Sequence, residues 1–494
     1  MPDDGIAAPE RLPLPTAPES PELIESPPIE PLPIESPPAV PLPIEPLPAE
    51  LVPVTFAGEG AGAGEMSWGQ WDIWTAMVDQ NSSLPLGGTA PVESGATMQD
   101  MTDLLRYMIT RYPAMRTRLR FDAAGRPSQV VFGSGVCTLE VYQAGEADPK
   151  DVALTVERRW RAAPFDYAGE WPIRMGVVLR DGAPAYLVSI LCHLVVDAAG
   201  SEVMVREATA RETAPSTGMT PLEQARWQSS PAGRRQNAAA LRYWENTLRA
   251  VPPGRRPDSP GKRSPRHWGG QLHSPALRMA VQAICDRTGA GSSPVLMALF
   301  GVALARVAGI GPAGLRMVVN NRFRPALADM VCVAAQNGIC VLDVAGTTID
   351  AAVGRVQRGA MAAYKHAYYD PEEVRALIQQ VTEERGGSLD VERFFNDRRV
   401  EGRVTVTGPV TPERIKEALA DTAFTWTECQ DDPFAQLFLH ADDAPDSIRL
   451  HILADTHFHG PAQLEALVRE IEAAAVEAAF DPAARTTPEA SPGG

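Results

Sequence analysis

The sequence predicts an α/β protein with mixed sheets, divided into two domains behind a proline-rich arm. A chain of 494 residues has room for two domains of ordinary size, and a hydrophobic content of 44% is ample for buried cores. Two apolar runs between 173 and 191 flank a turn signal, and helical patterns follow them. Strand and helix patterns also alternate in the second half of the chain, so we expect sheets and helices in both domains.

Residues 1–65 are expected to form a disordered, acidic arm. Sixteen of the first 50 residues are proline, and ten acidic residues stand there against one basic residue, Arg11. Proline removes amide donors and favours polyproline II, so a packed core is not expected here. The arm is interpreted as a spacer, with docking to a partner protein as the alternative. The polar tail at 481–494 is expected to be disordered too.

Composition argues against several classes of protein. The net charge is −17, and about half of it lies in the first 50 residues, which leaves no basic footprint for nucleic acid. The six cysteines show no metal-ligand spacing and are interpreted as reduced thiols, so we expect no metal. The first residues do not show the basic region and apolar segment of a signal peptide. The sequence also contains no run of 18 apolar residues that would span a membrane. We therefore expect a cytoplasmic protein without a membrane span.

The first domain is predicted over 66–250. A β-hairpin with the turn Asp181-Gly182 is the clearest feature, because apolar strands precede and follow that dipeptide. The other elements, in chain order, are a helix at 98–112, strands at 119–121 and 129–132, the hairpin strands at 173–179 and 185–191, and helices at 201–211, 221–227 and 236–248.

The second domain is predicted over 251–480. The helix at 293–307 is apolar on nearly every side and should therefore be buried. The remaining elements, in chain order, are a strand at 269–272, a helix at 274–287, a strand at 316–320, a helix at 411–420, a strand at 447–453 and a helix at 461–479.

The candidate functional residue is His193, which follows the second hairpin strand. An imidazole at the end of a rigid strand titrates near neutrality and suits a general base. Three interpretations stay open at this point. His193 is a hydrogen-bonded structural residue with Asp197 as a helix cap, or it activates Cys192 as a thiol nucleophile, or it acts as a base on a substrate amine or hydroxyl.

Several motifs resemble those of condensation domains from nonribosomal peptide synthetases and the related acyltransferases of the chloramphenicol-acetyltransferase-like superfamily. Cys192-His193-x-x-x-Asp197-Ala198 resembles their His-His-x-x-x-Asp-Gly signature, with the first His and the Gly replaced. Further similar motifs follow in the family's order across 66–480: Ser67-x-x-Gln70, Arg116-Thr117, Tyr243-Trp244-x-x-x-Leu248, Asn321-Arg322 and Gln336-Asn337.

The resemblance implies a fold and a site. Two chloramphenicol-acetyltransferase-like lobes would form a V-shaped pseudo-dimer with a central tunnel. His193 would be catalytic, while Asp197 and Arg322 would form a buried pair that supports its loop. Possible oxyanion or substrate contacts would be Ala198, Gly200 and Asn337, and Cys192 would be an altered motif position.

The resemblance also implies a function. The protein would be a free-standing condensation enzyme that transfers an acyl or aminoacyl group from a carrier protein to a small-molecule amine or alcohol. The thioester would arrive on the phosphopantetheine arm of an acyl or peptidyl carrier protein, with no cofactor bound to the enzyme itself. The alternatives are a degenerate module that recruits carrier proteins or other enzymes, and an O-acyltransferase of a polyketide or sugar alcohol.

Overall fold

The computed structural model of the chain describes residues 48–254, 263–399, 406–431 and 434–487. Most of the arm predicted at 1–65 and half of the tail predicted at 481–494 lie outside these described residues. Within them, strands and helices alternate as the sequence predicts, and the mixed α/β fold class is confirmed.

Fifteen strands occur in the described residues. They are β1 (Glu50–Ala57), β2 (Gly62–Gly64), β3 (Leu86–Pro91), β4 (Thr117–Phe121), β5 (Pro127–Val131), β6 (Ser134–Gln143), β7 (Ile173–Arg180), β8 (Ala183–Leu191), β9 (His267–Ser274), β10 (Ala313–Val319), β11 (Gln336–Leu342), β12 (Arg393–Asp397), β13 (Ala423–Gln430), β14 (Leu437–Ala444) and β15 (Ser447–Asp455).

Twelve α-helices accompany the strands in the same described ranges. They are α1 (Trp68–Asp79), α2 (Met98–Arg111), α3 (Pro149–Ala162), α4 (Ala198–Thr209), α5 (Pro221–Gln228), α6 (Pro231–Ala250), α7 (Pro275–Thr288), α8 (Ser292–Ala308), α9 (Ile349–Lys365), α10 (Pro371–Arg385), α11 (Pro412–Ala418) and α12 (Pro461–Phe480).

The N-terminal half is organised around a five-stranded sheet in the order β1-β6-β7-β8-β3. All neighbours in it are antiparallel except the parallel pair β6 and β7, so the sheet is mixed. Strands β2, β5 and β4 form a separate three-stranded sheet. Helix α3 packs on β7 and β8, and the apolar side chains between them form one core. This core surrounds the hairpin that leads to His193.

The C-terminal half contains a seven-stranded mixed sheet in the order β11-β10-β12-β14-β15-β9-β13. Helices α7, α8 and α12 pack on one another beside this sheet. Helix α8 is apolar on nearly all sides, and its residues from Val295 to Leu304 are buried, as the sequence predicts. The opposite face of the sheet carries half-buried polar and aromatic side chains such as Arg316, Phe394 and His440. One face of this sheet therefore forms the core with the helices, whereas the side chains of the other face are only partly buried.

The two halves interlock rather than meet at a clean boundary. Trp244 and Leu248 of α6, a helix predicted in the first domain, pack with Ile339 and Tyr369 of the second. Conversely, the segment 327–334 packs into the core of the first half. The predicted boundary at 250 thus separates the two halves along the chain, but helix α6 before it packs with the second half. Composition does not indicate which sheet a helix covers.

Two predicted boundaries of disorder are wrong. Strands β1 and β2 lie within the range predicted as the arm, and Val54 and Phe56 of β1 are buried in the N-terminal core. Their alternation with exposed residues is a strand pattern that the nearby prolines obscure. At the other end, Thr486 is fully buried and its N–H donates to the Thr347 carbonyl at 3.0 Å. Residues 48–64 and 481–487 therefore belong to the folded part of the chain that the structure describes.

None of the described helices could cross a bilayer by itself. Helices α7 and α8 reach the length and apolarity of a span only when taken together, and they meet at a bend of 111°.

Candidate active site

The hairpin of β7 and β8 delivers His193 to the end of the N-terminal sheet. The strands pair from Ile173 opposite Leu191 to the turn, where Asp181 and Gly182 both adopt positive φ, as the turn prediction requires. Strand β8 ends at Leu191, and a short 3-10 turn follows over His193–Val195. The histidine therefore stands just beyond a rigid, buried strand.

The imidazole of His193 is held in one tautomer. Its Nδ1 lies 2.9 Å from the Val196 carbonyl oxygen, and because a carbonyl only accepts, Nδ1 must carry the hydrogen. The lone pair then remains on Nε2. Burial lowers the pKa of His193 below its ordinary value, against smaller opposite effects of Asp197 and the Val196 carbonyl. The side chain is nevertheless only partly buried, so a neutral, proton-accepting nitrogen is within reach of solvent.

Cys192 is not a nucleophile in this arrangement. The residue is 1% exposed, and burial raises the pKa of its thiol to about 12, so the thiolate is not populated near neutrality. It lines a small pocket together with Leu194 and Val195, and His193 is not among the lining residues. The burial of Cys192 therefore argues against the Cys192–His193 nucleophile pair and favours a core position for this residue.

Asp197 is the most completely satisfied charged group near the site. It is 2% exposed and forms a forked pair with Arg322, at 2.7 Å from Oδ1 to Nη2 and 2.9 Å from Oδ2 to Nη1. The Gly200 N–H also donates to Oδ1 at 2.8 Å, and the N–H groups of Ala334 and Ala335 both donate to Oδ2 at 2.9 Å. With every lone pair occupied, this carboxylate positions the backbone and is not placed to carry a proton.

The pair joins the two halves, as the resemblance implies. Asp197 caps α4 in the first half, whereas Arg322 belongs to the second and also donates to the Met330 and Cys332 carbonyls at 2.9 and 3.2 Å. Asn321, buried at a φ of +59°, bonds the Ala334 carbonyl at 2.9 Å and so holds the same segment. The start of α4 and the segment 330–335 are thus locked together.

The predicted oxyanion or substrate contacts stay predictions, although the N–H of Gly200 is already used in the structure. The N–H of Gly200 donates to Asp197 and is not free to bind an oxyanion. A Cβ at this position would lie 3.0 Å from Arg322 Nη2. Ala198 is the exposed first residue of α4 and lacks a positive φ, so alanine fits there without strain. Asn337 is half-buried on β11, two residues beyond Ala335.

Helix α1 closes the site from a third direction. It packs against the 3-10 turn that carries His193, and a Cβ on Gly69 would lie 2.4 Å from the Val333 carbonyl oxygen. Only glycine permits this approach of α1 to the segment that binds Asp197. The His193 turn, α1 and the segment 333–337 therefore converge at the seam between the halves.

Asp72 on α1 is a further residue near this seam, and the sequence did not lead us to predict it. Asp72 lies on α1 one turn after Gly69, and its charge acts on Arg316, Arg375 and Tyr369 of the second half. Burial raises the pKa of this carboxyl from 3.8 to about 6, even though the two arginines lower it. The signal in the sequence was an acidic residue among the tryptophans of α1, a mostly apolar helix whose other acidic residue is its last, Asp79.

Neither a cofactor nor a metal is indicated by the geometry of the described residues. Within the described ranges, no group of three His, Cys, Asp or Glu side chains is arranged to hold a metal ion. The described residues offer an imidazole with a lowered pKa beside a buried ion pair, an arrangement that suits proton transfer.

Comparison with known proteins identifies relatives of one kind. Residues 86–408 match the family model described as the condensation domain. A probable non-canonical nonribosomal peptide synthetase, CymA from Salinispora arenicola, is 25% identical over 311 residues, which is 58% of this chain and 4% of that protein. The chain thus spans a small fraction of the length of this curated relative.

Solved structures show the same fold. The condensation domain of the Monacolin K polyketide synthase MokA superposes with a TM-score of 0.68 at 14% identity, covering 87% of this chain and 100% of that chain. A structure on condensation-domain-mediated chain release from the enacyloxin polyketide synthase gives a TM-score of 0.64 at 18% identity, covering 87% and 84%. The predicted chloramphenicol-acetyltransferase-like fold is confirmed by these neighbours.

Removing Arg322 should destabilise the protein strongly. Arg322→Ala leaves the Asp197 charge buried and unpaired, so we expect the free energy of unfolding to fall by about 3–5 kcal/mol. The matched control is Arg206→Ala, which breaks the exposed pair between Arg206 of α4 and Asp329 and should cost less than about 1 kcal/mol. Chemical denaturation followed by circular dichroism measures both. Equal losses in the two variants would contradict a special role for the buried pair.

Asp72→Asn should stabilise the protein at neutral pH but not in acid. Because the folded-state pKa of Asp72 exceeds its ordinary value, ionisation between about pH 4 and 6 opposes folding, and the penalty is complete above that range. We expect a gain of about 1–3 kcal/mol at pH 7.5 that vanishes near pH 4. The control Asp103→Asn removes an exposed carboxylate of α2 that pairs with Arg106, and it should change the stability by less than about 1 kcal/mol. Thermal melts across this pH range provide the measurement.

Proposed function

Since the chain belongs to the condensation-domain family, we propose that it transfers an acyl group from a carrier-bound thioester to an amine or hydroxyl of a small acceptor, with His193 as the base. The observation that carries this proposal is the state of the imidazole. Nδ1 is occupied by the Val196 carbonyl, the ring is neutral because of its burial, and Nε2 retains its lone pair in a partly exposed side chain. A purely structural histidine would not need that access.

In the proposed reaction the acceptor attacks the thioester carbonyl while Nε2 of His193 takes its proton. The new bond from nitrogen or oxygen to carbon forms as the carbonyl electrons move to oxygen. When the tetrahedral intermediate collapses, the carbon–sulfur bond breaks and the leaving sulfur receives the proton from the imidazolium. His193 returns to its neutral form, no enzyme-bound acyl group is required, and the base contributes roughly 10²- to 10⁴-fold in rate.

The start of α4 supplies donors for the oxyanion in this proposal. The N–H of Gly200 is committed to Asp197, and the N–H of Ser201 donates to the Asp197 carbonyl at 2.9 Å. Among the described residues, the N–H groups of Ala198 and Ala199 make no backbone or capping hydrogen bond. They lie at a helix N-terminus, where the partial positive charge favours an anion. We assign the oxyanion contact to Ala198 and leave Gly200 to the support of Asp197.

The donor and acceptor follow from the same proposal. An acyl or peptidyl carrier protein presents the thioester on its phosphopantetheine arm, and the enzyme holds no cofactor of its own. The acceptor is a small amine or alcohol, and Asn337 is available to contact it from β11. We place the protein in the cytoplasm, and a docking function for residues 1–47 remains a prediction.

His193→Ala should abolish most of the activity without unfolding the protein. We expect kcat/KM for an acyl-loaded carrier protein to fall by about 10²- to 10⁴-fold, with amines and alcohols tested in parallel as acceptors. The control Cys192→Ala, at a buried position outside the proposed chemistry, should retain activity within a few-fold. Inactivity of a folded Cys192→Ala variant would restore the thiol mechanism. Transfer that is absent in both variants and in the wild type would indicate a recruiting module.

The pH profile should reflect the depressed pKa of His193. The base works only when neutral, so the rate should rise with pH through a midpoint below 6.5 and stay level above it. An alcohol acceptor is used because it does not titrate in this range. Asp72→Asn should preserve this acidic limb, which separates His193 from the other group that titrates near pH 6. A midpoint above 6.5 would contradict the proposed role.

A further inference from the structure

A surface patch beside the seam exposes two large apolar side chains. Phe323, in the loop after β10, is 58% exposed, and Met361 on α9 is 63% exposed, more than any other large apolar side chain among the described residues. Burying such side chains against another protein is favourable, and aromatic and methionine side chains are enriched at protein interfaces. The two residues therefore indicate a contact surface.

Arg324 connects the two apolar side chains into one patch. Its guanidinium carbon lies 5.3 Å from the centroid of the Phe323 ring, and its Nη2 donates to the Lys365 carbonyl at 3.2 Å. Met361 lies one turn before Lys365 on α9, and both side chains are exposed on the same side of that helix. The loop after β10 thus rests against the last turn of α9, with Phe323 and Met361 on the same surface.

The patch is bordered by cations that have no carboxylate partner. Arg355, Arg358 and Lys365 are exposed at spacings of three and seven residues, which brings them to the side of α9 that carries Met361. Among the described residues, neither these three side chains nor Arg324 forms an ion pair. The chain as a whole has a net charge of −17. A local concentration of uncompensated positive charge on such a protein favours an acidic partner.

The patch is attached to the loop that supports the site. Arg322 of this loop forms the buried pair with Asp197, and the side-chain amide of Asn321 donates at 2.8 Å to the Ala367 carbonyl, just beyond the end of α9. The 3-10 turn that begins at His193 leads into Asp197. Direct contacts therefore connect the patch with the His193 turn, and a partner bound to the patch would stand beside the seam.

We propose that this patch is the docking surface of the carrier protein. An acidic face of the carrier lies opposite Arg324, Arg358 and Lys365. An apolar side chain of the carrier packs against Phe323 and Met361. The inference rests on the proposed function, since it names the surface that receives the partner of that reaction. Opposite charges steer the approach, the apolar contact supplies most of the affinity, and the phosphopantetheine arm extends from the docked carrier into the seam.

Docking is measured without any acyl group, by fluorescence anisotropy of labelled holo acyl and peptidyl carrier proteins titrated with the full-length protein. We expect the Kd of a carrier that binds the wild type to rise at least about tenfold in the double variant Arg358→Glu/Lys365→Glu, and by a similar factor in Phe323→Ala. Binding to the wild type should weaken as salt is added, and binding to the double variant should depend less on salt, because the attraction between opposite charges has been removed.

The matched control is Lys150→Glu/Arg158→Glu, which makes the same charge change at exposed positions of α3 in the N-terminal half. It should retain the wild-type Kd within a few-fold, and so should His193→Ala. A wild-type protein that binds a carrier through the patch but transfers no acyl group would contradict the proposed reaction and leave the docking surface standing. The docking proposal is overturned if no carrier binds, if the folded patch variants bind as tightly as the wild type, or if the α3 control loses affinity equally.

Discussion

The buried pair between Asp197 and Arg322 is the interaction on which the site depends. Its two residues come from different halves of the chain, and each also bonds backbone groups that would otherwise be unsatisfied in the interior. A buried ion pair seldom adds much stability over an apolar contact of the same size, so its value here lies in geometry. It fixes the start of α4 and the segment 330–335 relative to each other, and the His193 turn leads directly into that start.

That constraint explains how one histidine can be both sheltered and reachable. The turn over His193–Val195 cannot drift, because Asp197 anchors it on one side and β8 anchors it on the other. The imidazole then keeps one tautomer, in which Nδ1–H donates to the Val196 carbonyl and the lone pair of Nε2 can accept a proton. Burial lowers the pKa of His193 more than the charge of Asp197 raises it, and this favours the neutral ring that a base needs before the reaction begins.

Two carboxylates at the seam illustrate opposite uses of the same chemical group. Asp197 has all of its acceptor positions filled and is therefore structural, although the motif alone would allow it to be a proton carrier. Asp72 has none filled from the described residues and carries a raised pKa. The difference arises from the surroundings, since backbone N–H groups converge on one residue while the arginines near the other are held by Glu392 and Asp79.

The sequence by itself determined the fold class, the hairpin that leads to His193 and the buried helix α8, whereas the pair of Asp197 with Arg322 was implied by the resemblance to condensation domains. These follow from local periodicity, a turn dipeptide and ordered motifs, all of which are written along the chain. Only the tertiary structure decided four other features. Helix α6 packs with the second half, the Gly200 N–H donates to Asp197, β1 forms a strand of the N-terminal sheet, and Asp72 has no hydrogen-bond or ion-pair partner among the described residues. The physical reason is that each of these depends on which distant groups arrive beside a residue, and burial, hydrogen bonding and charge neutralisation are properties of that neighbourhood and not of the residue type.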